Sequence, residues 1–324
     1  RLQSVHAMID SPEMRSRFVM IEPRFATEAE LKMGHTQSYI DTVAETAEQN
    51  HTWLDPDTET SPHTYTTAQL AVGGIFNAVD AVVNGKVNNA FALVRPPGHH
   101  AHARGAAGFC VFSNIAIGAK YAMKKYGYER ILIVDWDLHH GDGTQEAFYD
   151  SKNVLFFSSH QYPYYPGSGS VNEIGAGDGL GYTINVPLVA GAGDAEYLKI
   201  YQQVLVPVAM AFKPELILVS AGFDIYFMDP LGGMKITPDG FSYLTRLVME
   251  IANACCNGKV VFCLEGGYHL AGLTASVKSV LMEMSGETNA SQKFLTMFAQ
   301  GASSNYNEII KKVQDKIQPI WQVY

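Results

Sequence analysis

The stretch ILIVDWDLHHGDG, residues 131–143, decides the fold and already points at chemistry. Its first four residues form a short apolar run of the kind found in strands buried on both faces of a parallel sheet. Asp135, Asp137 and His139 follow at intervals of two, so a continuing strand would set them on one face. The pattern recurs along the chain. Ala90 to Val94 leads into Arg95-Pro-Pro-Gly-His99-His100, and Val154 to Phe157 into Ser158-Ser159-His160. Leu216 to Val219 leads into Ser220-Ala-Gly-Phe-Asp224, and Val260 to Leu264 into Glu265-Gly266-Gly267-Tyr268. Ligands of parallel sheets bind outside the carboxyl ends of the strands. Five such ends converge here on acids, imidazoles and a phenol.

Helical patterns separate the apolar runs. Ala71, Ile75, Val79 and Val82 recur at helical spacing up to Asn84-Gly85, and residues 113–126, 194–212 and 238–256 read as further helices. A strand at 182–186 and two closing helices, near 271–285 and 305–317, complete the reading. This alternation predicts an α/β fold, a three-layer α/β/α arrangement around a mostly parallel central sheet. With no repeat and no low-complexity linker, residues 1–324 read as a single domain. Residues 51–63 and 160–180 read as long loops, which in a compact domain are often functional.

Composition narrows the function classes. Apolar residues make up 47% of the chain and charged residues 17%, which excludes a disordered chain. The net charge of −9 argues against a nucleic-acid surface, which needs clustered Lys and Arg. No run of about 18 apolar residues is evident, so no membrane span is expected. Cys110, Cys255, Cys256 and Cys263 form no CxxC pair and read as core thiols of a cytoplasmic protein. A homo-oligomer is compatible with all of this.

Asp137 and His139, with Asp224 from a neighbouring strand, offer an Asp-His-Asp set. Three protein ligands with an open position describe catalytic rather than structural zinc. The structural alternative is a buried polar network that only ties strand ends together. His99 and His100 beside such a set can supply a general base and an electrostatic partner, with Asp135 and Asp142 as spare acids to fix their tautomers. Tyr268, after two glycines, can donate to an oxyanion. His6, His51, His63, His102 and His269 read as surface or packing residues, and Cys110 as a small core residue.

Together the segments RPPGHHA (95–101), GFC (108–110), DWDLHHGDGTQ (135–145), GYTINVPL (181–188), SAGFD (220–224), DPLGG (229–233) and LEGGY (264–268) resemble the zinc-dependent histone deacetylase family. The likeness is greatest to its bacterial, class II-like amidohydrolases and runs from about residue 68 to 285, with GHTQSYI (34–40) as a helix start. It implies that the family's first strand and first loop would precede Arg1. It implies zinc on Asp137, His139 and Asp224, His100 as general base paired with Asp142, and His99 as electrostatic partner paired with Asp135. Tyr268 would polarise the amide carbonyl. An acyl-lysine channel would be lined by Gly108, Phe109 and Tyr165, with Leu231 at its rim and Gly266 and Gly267 beside the substrate. Structural potassium or sodium would sit at Asp135, Asp137, His139, Ser158 and Ser159, and a second ion at Phe148, Ser151, Val154 and Tyr182.

The implied substrate is an acetylated lysine or an acetylated small amine, releasing acetate and the free amine. Acetylpolyamine hydrolysis is the alternative within the class, and Leu231, where polyamine-preferring relatives tend to carry glutamate, tilts toward acyl-lysine. A binuclear manganese ureohydrolase would need acids at positions 141 and 226, where this chain has Gly141 and Tyr226. A non-catalytic acetyl-group binder would not need both imidazoles and Tyr268.

Overall fold

A computed structural model describes residues 1–287 and 291–324. The chain opens with α1 (Leu2–Ile9), α2 (Pro12–Arg15), α3 (Glu28–Leu31) and α4 (Gln37–Glu45), then a hairpin of β1 (Thr52–Asp55) and β2 (Thr58–Thr60). It continues with α5 (Thr64–Val83), β3 (Asn89–Ala92), α6 (Asn114–Tyr126), β4 (Ile131–Asp135), α7 (Asp142–Phe148) and β5 (Val154–Gln161). Next come β6 (Thr183–Leu188), α8 (Asp194–Ile200), α9 (Val206–Phe212), β7 (Leu216–Ala221), α10 (Pro238–Cys256) and β8 (Val260–Leu264). The last helices are α11 (Leu270–Met284), α12 (Gln292–Gln300) and α13 (Asn307–Trp321).

Six strands form one sheet in the order β3-β8-β7-β4-β5-β6, every pair parallel. Side chains alternate between two cores. Leu132 and Val134 of β4, Ile217 and Val219 of β7, and Phe262 and Leu264 of β8 face one layer, with α1, α8, α10, α11 and α13. Ile131 and Ile133, Leu216 and Leu218, and Val261 and Cys263 face the other, with α4, α5 and α6. Burial on both faces is why these strands read as unbroken apolar runs. The alternation outlasts β4: Trp136 and Leu138 enter the first core. Asp137 and His139 are thereby turned the other way.

The chain leaves β4 toward β5 and β6, then returns to lay β7 on its opposite side. The β4–β7 boundary is therefore the topological switch point, where a crevice opens beyond the strand ends.

Helices α1, α2, α3 and α7 carry no expectation from the sequence, and four further features differ from it. Residues 51–63 carry the β1–β2 hairpin, whose two short strands offer only Trp53 and Leu54 as apolar residues. The helix expected over 194–212 runs its full length but widens to a π-turn at Tyr201–Leu205 between α8 and α9. Pro207 has no N–H for the carbonyl of Gln203, which instead accepts from Gln314 Nε2 at 2.9 Å. Helix α12 is an addition to the expected helices, with Phe294, Leu295, Phe298 and Ala299 recurring at helical spacing. Helix α5 is, by length and mean hydropathy, apolar enough to cross a bilayer, contrary to the expectation of no such stretch. It is packed inside the domain here, burying Ala68, Val72, Ile75, Phe76 and Val79.

A candidate metal centre at the strand ends

The loops after β3, β4, β7 and β8 meet at the crevice. Glu265, just past β8, is buried and fixes the first loop: its Oε2 accepts from the backbone N–H of Gly98 (2.7 Å) and His99 (3.3 Å), and its Oε1 from Ser220 Oγ (3.1 Å). This clamp points two adjacent imidazoles inward, their ring centroids 4.0 Å apart. His99 Nδ1 lies 2.9 Å from Asp135 Oδ2, and His100 Nδ1 2.7 Å from Asp142 Oδ1. Both expected pairings are present, and each leaves the Nε2 side for the cavity.

Asp137, His139 and Asp224 bring one ligand atom each to within 4.8 Å of one another. Asp137 Oδ1 accepts from the backbone of His139 at 2.9 Å and Oδ2 from Gly266 at 2.9 Å. Asp224 Oδ1 accepts from Leu138 at 2.8 Å. Its Oδ2 is buried with no hydrogen-bond partner, 3.3 Å from His139 Nδ1. Burial, and then the charge of Asp137, push the Asp224 carboxyl up to about 6. Burial lowers the His139 imidazole, but Asp137 and Asp224 more than offset this and raise it to about 10. Two buried carboxylates thus face one imidazole where a metal cation fits, and the orphaned oxygen is a ready ligand.

Gly266 completes this cradle. A β-carbon there would fall onto Asp224 Oδ2 and lie 2.6 Å from Asp137 Oδ2. Gly266→Ala is therefore expected to lower metal affinity at least about tenfold, measured as metal content after dialysis against limiting zinc. A second group, His99, Cys110 and Glu265, is equally compact. It fits a metal less well, because Glu265 already accepts from three donors and burial pushes the Cys110 thiol up.

A cavity of ≈ 180 Å³ leads to this centre, lined by His99, His100, Gly108, Phe109, Tyr165, Leu231, Gly266 and Tyr268 as expected, and also by Asp57, Pro97 and Tyr164. Its walls are aromatic. Tyr165 stands edge-on to His100 at 5.2 Å and 83°, and Phe109 to Tyr268 at 6.0 Å and 67°. Tyr164 stacks on His139 at 5.8 Å and hydrogen-bonds the carbonyl of Leu231 at 2.9 Å. Gly108, at φ +54°, lets the Phe109 loop lie on the His100 ring, where a β-carbon would collide.

Tyr268 is set by groups far away in sequence. Asp229 Oδ2 accepts from the backbone N–H of Tyr268 at 2.6 Å and of His269 at 3.1 Å. Arg1 donates to the carbonyls of Gly267 (2.5 Å) and Glu265 (2.6 Å), with its guanidinium 4.9 Å from the Tyr268 ring centre. Gly267 is the one expected substrate contact that does not line the cavity; it faces Phe223 and Leu273. Of the expected monovalent-ion residues, Asp137 and His139 line the cavity, while Asp135, Ser158, Ser159, Phe148, Ser151, Val154 and Tyr182 lie off it. Ser158 Oγ bonds His160 Nδ1 at 2.9 Å and Ser159 Oγ bonds the Tyr201 hydroxyl at 3.2 Å. Phe148, Ser151 and Val154 lie where α7 ends and β5 begins, and the Tyr182 carbonyl, just before β6, accepts from the Phe156 N–H at 2.8 Å. His102, expected to be a packing residue, hydrogen-bonds Asp142 at 3.1 Å.

Residues 1–284 match the model of the histone deacetylase domain. A probable deacetylase of Archaeoglobus fulgidus is 43% identical over 256 residues, covering 79% of this chain and 71% of that protein. Histone deacetylase 15 of Arabidopsis thaliana is 41% identical, covering 84% of this chain and 49% of its own. The polyamine deacetylase HDAC10 of Mus musculus is 42% identical, covering 91% of this chain and 45% of its own. The chain thus spans about half the length of the plant and mouse relatives. The crystal structure of the HDA15 HD domain superimposes with a TM-score of 0.92 at 36% identity, covering 99% of this chain and 87% of that one.

Proposed function

The chain belongs to the histone deacetylase domain family, and we propose that it hydrolyses the amide of acetylated, or other short acylated, lysine-like amines with zinc at its strand-end centre. The observation that carries this reading is the unpartnered Asp224 Oδ2 facing Asp137 and His139 at the foot of an aromatic cavity. Asp137, His139 and Asp224 would hold the zinc. Bound there, zinc supplies Lewis acidity, lowering the pKa of water to about 7 and polarising a carbonyl.

The remaining chemistry belongs to side chains. The aromatic walls of Phe109, Tyr164 and Tyr165 take the apolar amine stem and leave the amide at the bottom. His100 Nε2 accepts the proton of the attacking water, its Nδ1–H fixed by Asp142, and returns that proton to the departing amine. His99, fixed by Asp135, sits beside it and places a second imidazole against the developing charge. Tyr268 donates its hydroxyl hydrogen to the tetrahedral oxyanion. Potassium, by the family likeness, would occupy the sites at Ser158 and at the α7–β5 junction.

Against a binuclear ureohydrolase, a side chain at position 141 would strike Asp135, and Tyr226 packs its ring against His269 at 5.4 Å. Acetylpolyamine hydrolysis is the second reading, supported by the likeness to the mouse polyamine deacetylase. Leu231 at the rim gives no charge to hold a distant ammonium. Rates on acetyl-lysine peptides, acetylputrescine and acetylspermidine, with metal analysis of the same sample, separate the readings. We expect kcat/KM to favour acetyl-lysine peptides. A preference for the polyamines would transfer the assignment to the second reading, and no turnover with zinc bound would refute both.

A further inference from the structure

Asp142 carries more than the His100 pairing. Its Oδ1 is 2.7 Å from His100 Nδ1, while its Oδ2 is 3.1 Å from His102 Nε2. The other nitrogen of His102 lies 2.7 Å from Glu146 Oε2. Asp142 and Glu146 are four residues apart on α7, so one turn of helix presents two carboxylates to the two edges of a single imidazole. His102 is itself held through its backbone. It exchanges hydrogen bonds with Gly105 (2.9 and 3.3 Å), and its carbonyl lies 2.9 Å from His35 Nδ1. Glu146 Oε1 also accepts from the backbone of Ala103 at 3.4 Å.

We infer that His102 is a positioning residue for the deacetylation reaction, acting through Asp142 to hold the His100 imidazole in its working orientation. This inference rests on the proposed function. A carboxylate with one oxygen unrestrained turns about its terminal torsion, which is broad for an acid. His102, bridged to Glu146, pins the second oxygen and so directs the first at His100. The hydrogen bonds to Asp142 foremost, against the opposing effect of burial, raise the His102 imidazole to about 9. At neutral pH it donates from both nitrogens, as two carboxylate partners require. His102 does not line the cavity. Its removal should therefore act on turnover and not on substrate binding.

The test is a double-mutant cycle on the zinc-loaded protein. His102→Ala should lower kcat about tenfold with KM and metal content unchanged. Asp142→Asn should lower kcat by about a hundredfold or more, and adding His102→Ala to it should change nothing further. Multiplying effects, or a His102→Ala kcat equal to wild type, would overturn the inference. If His102→Ala fails to fold, Glu146→Gln serves, with a smaller kcat loss at constant KM that vanishes in the Asp142→Asn background. An independent readout is the downfield imidazole N–H resonance of His100, read on protein without substrate. It should shift or broaden in His102→Ala, and an unchanged signal overturns the inference even if the protein proves to have no deacetylase activity.

Discussion

Asp224→Asn is expected to strip the metal from the protein and to lower acetyl-lysine hydrolysis by a factor on the order of a thousand or more, with the fold intact. Asn is the informative replacement. Asp224 is fully buried, and its Oδ1 accepts from the N–H of Leu138. Alanine would leave that donor unpaired at about 1–3 kcal/mol, so lost activity would be confounded with lost stability. An asparagine oxygen can keep the Leu138 bond, while the position of Oδ2 becomes an uncharged amide that a divalent cation does not bind. The surrounding charge balance changes in the same direction, because His139 then faces one carboxylate instead of two.

Three measurements check this: metal content after gel filtration, kcat/KM on an acetyl-lysine peptide, and the melting temperature with and without zinc. Wild-type protein should gain thermal stability with added zinc, because a ligand that binds only the folded state stabilises it by mass action. The variant should show almost none of that gain. Stoichiometric metal in Asp224→Asn would mean that the ligand set is wrongly assigned.

The sheet and the side chains that gather at its crevice were legible in the sequence for one physical reason. Parallel strands buried on both faces must be apolar throughout, so the short polar segments that follow Val94, Val134, Val219 and Leu264 stand out, and the candidate site residues lie within them. Acids near the imidazoles singled out Asp135 and Asp142, the family resemblance implied the His99–Asp135 and His100–Asp142 pairing, and the structure places each pair at hydrogen-bond distance. What stayed hidden has partners remote in sequence or ordinary in type. Arg1 grips the Glu265–Gly267 backbone across more than 260 positions, and no local pattern marks it. Asp229 holds the Tyr268 N–H from within a segment quoted only for family likeness. Asp57 reaches the cavity on a hairpin with no apolar alternation to announce it. His102 was passed over because a histidine near the surface is usually unremarkable; its two carboxylate partners lie on a helix 40 residues downstream. Pro207 was a visible signal, since an interior proline breaks the i to i−4 ladder, and it marks the π-turn.

Tyr268→Phe should separate oxyanion stabilisation from everything else the loop after β8 does. The expected loss in kcat is about 10²–10³, the range for deleting one oxyanion donor, with metal content and KM close to wild type. The side chain is held without help from its hydroxyl. Asp229 takes the backbone N–H, the Arg1 guanidinium lies over the ring, and Phe109 meets it edge-on. Phenylalanine keeps all three contacts, so the melting temperature should hardly move. The hydroxyl is also fit to donate. Burial first, then the charges of Asp224 and Asp137, raise its pKa well above the ordinary phenol value, so it stays protonated throughout the working range. A phenol resisting ionisation beside two carboxylates gains most when a negative oxygen forms within its reach, and that happens only in the transition state. The variant should accordingly lose turnover and keep affinity for an unreacted amide. Loss of metal in Tyr268→Phe, or a defect carried mainly by KM, would remove Tyr268 from the oxyanion role and make it a residue of the channel wall.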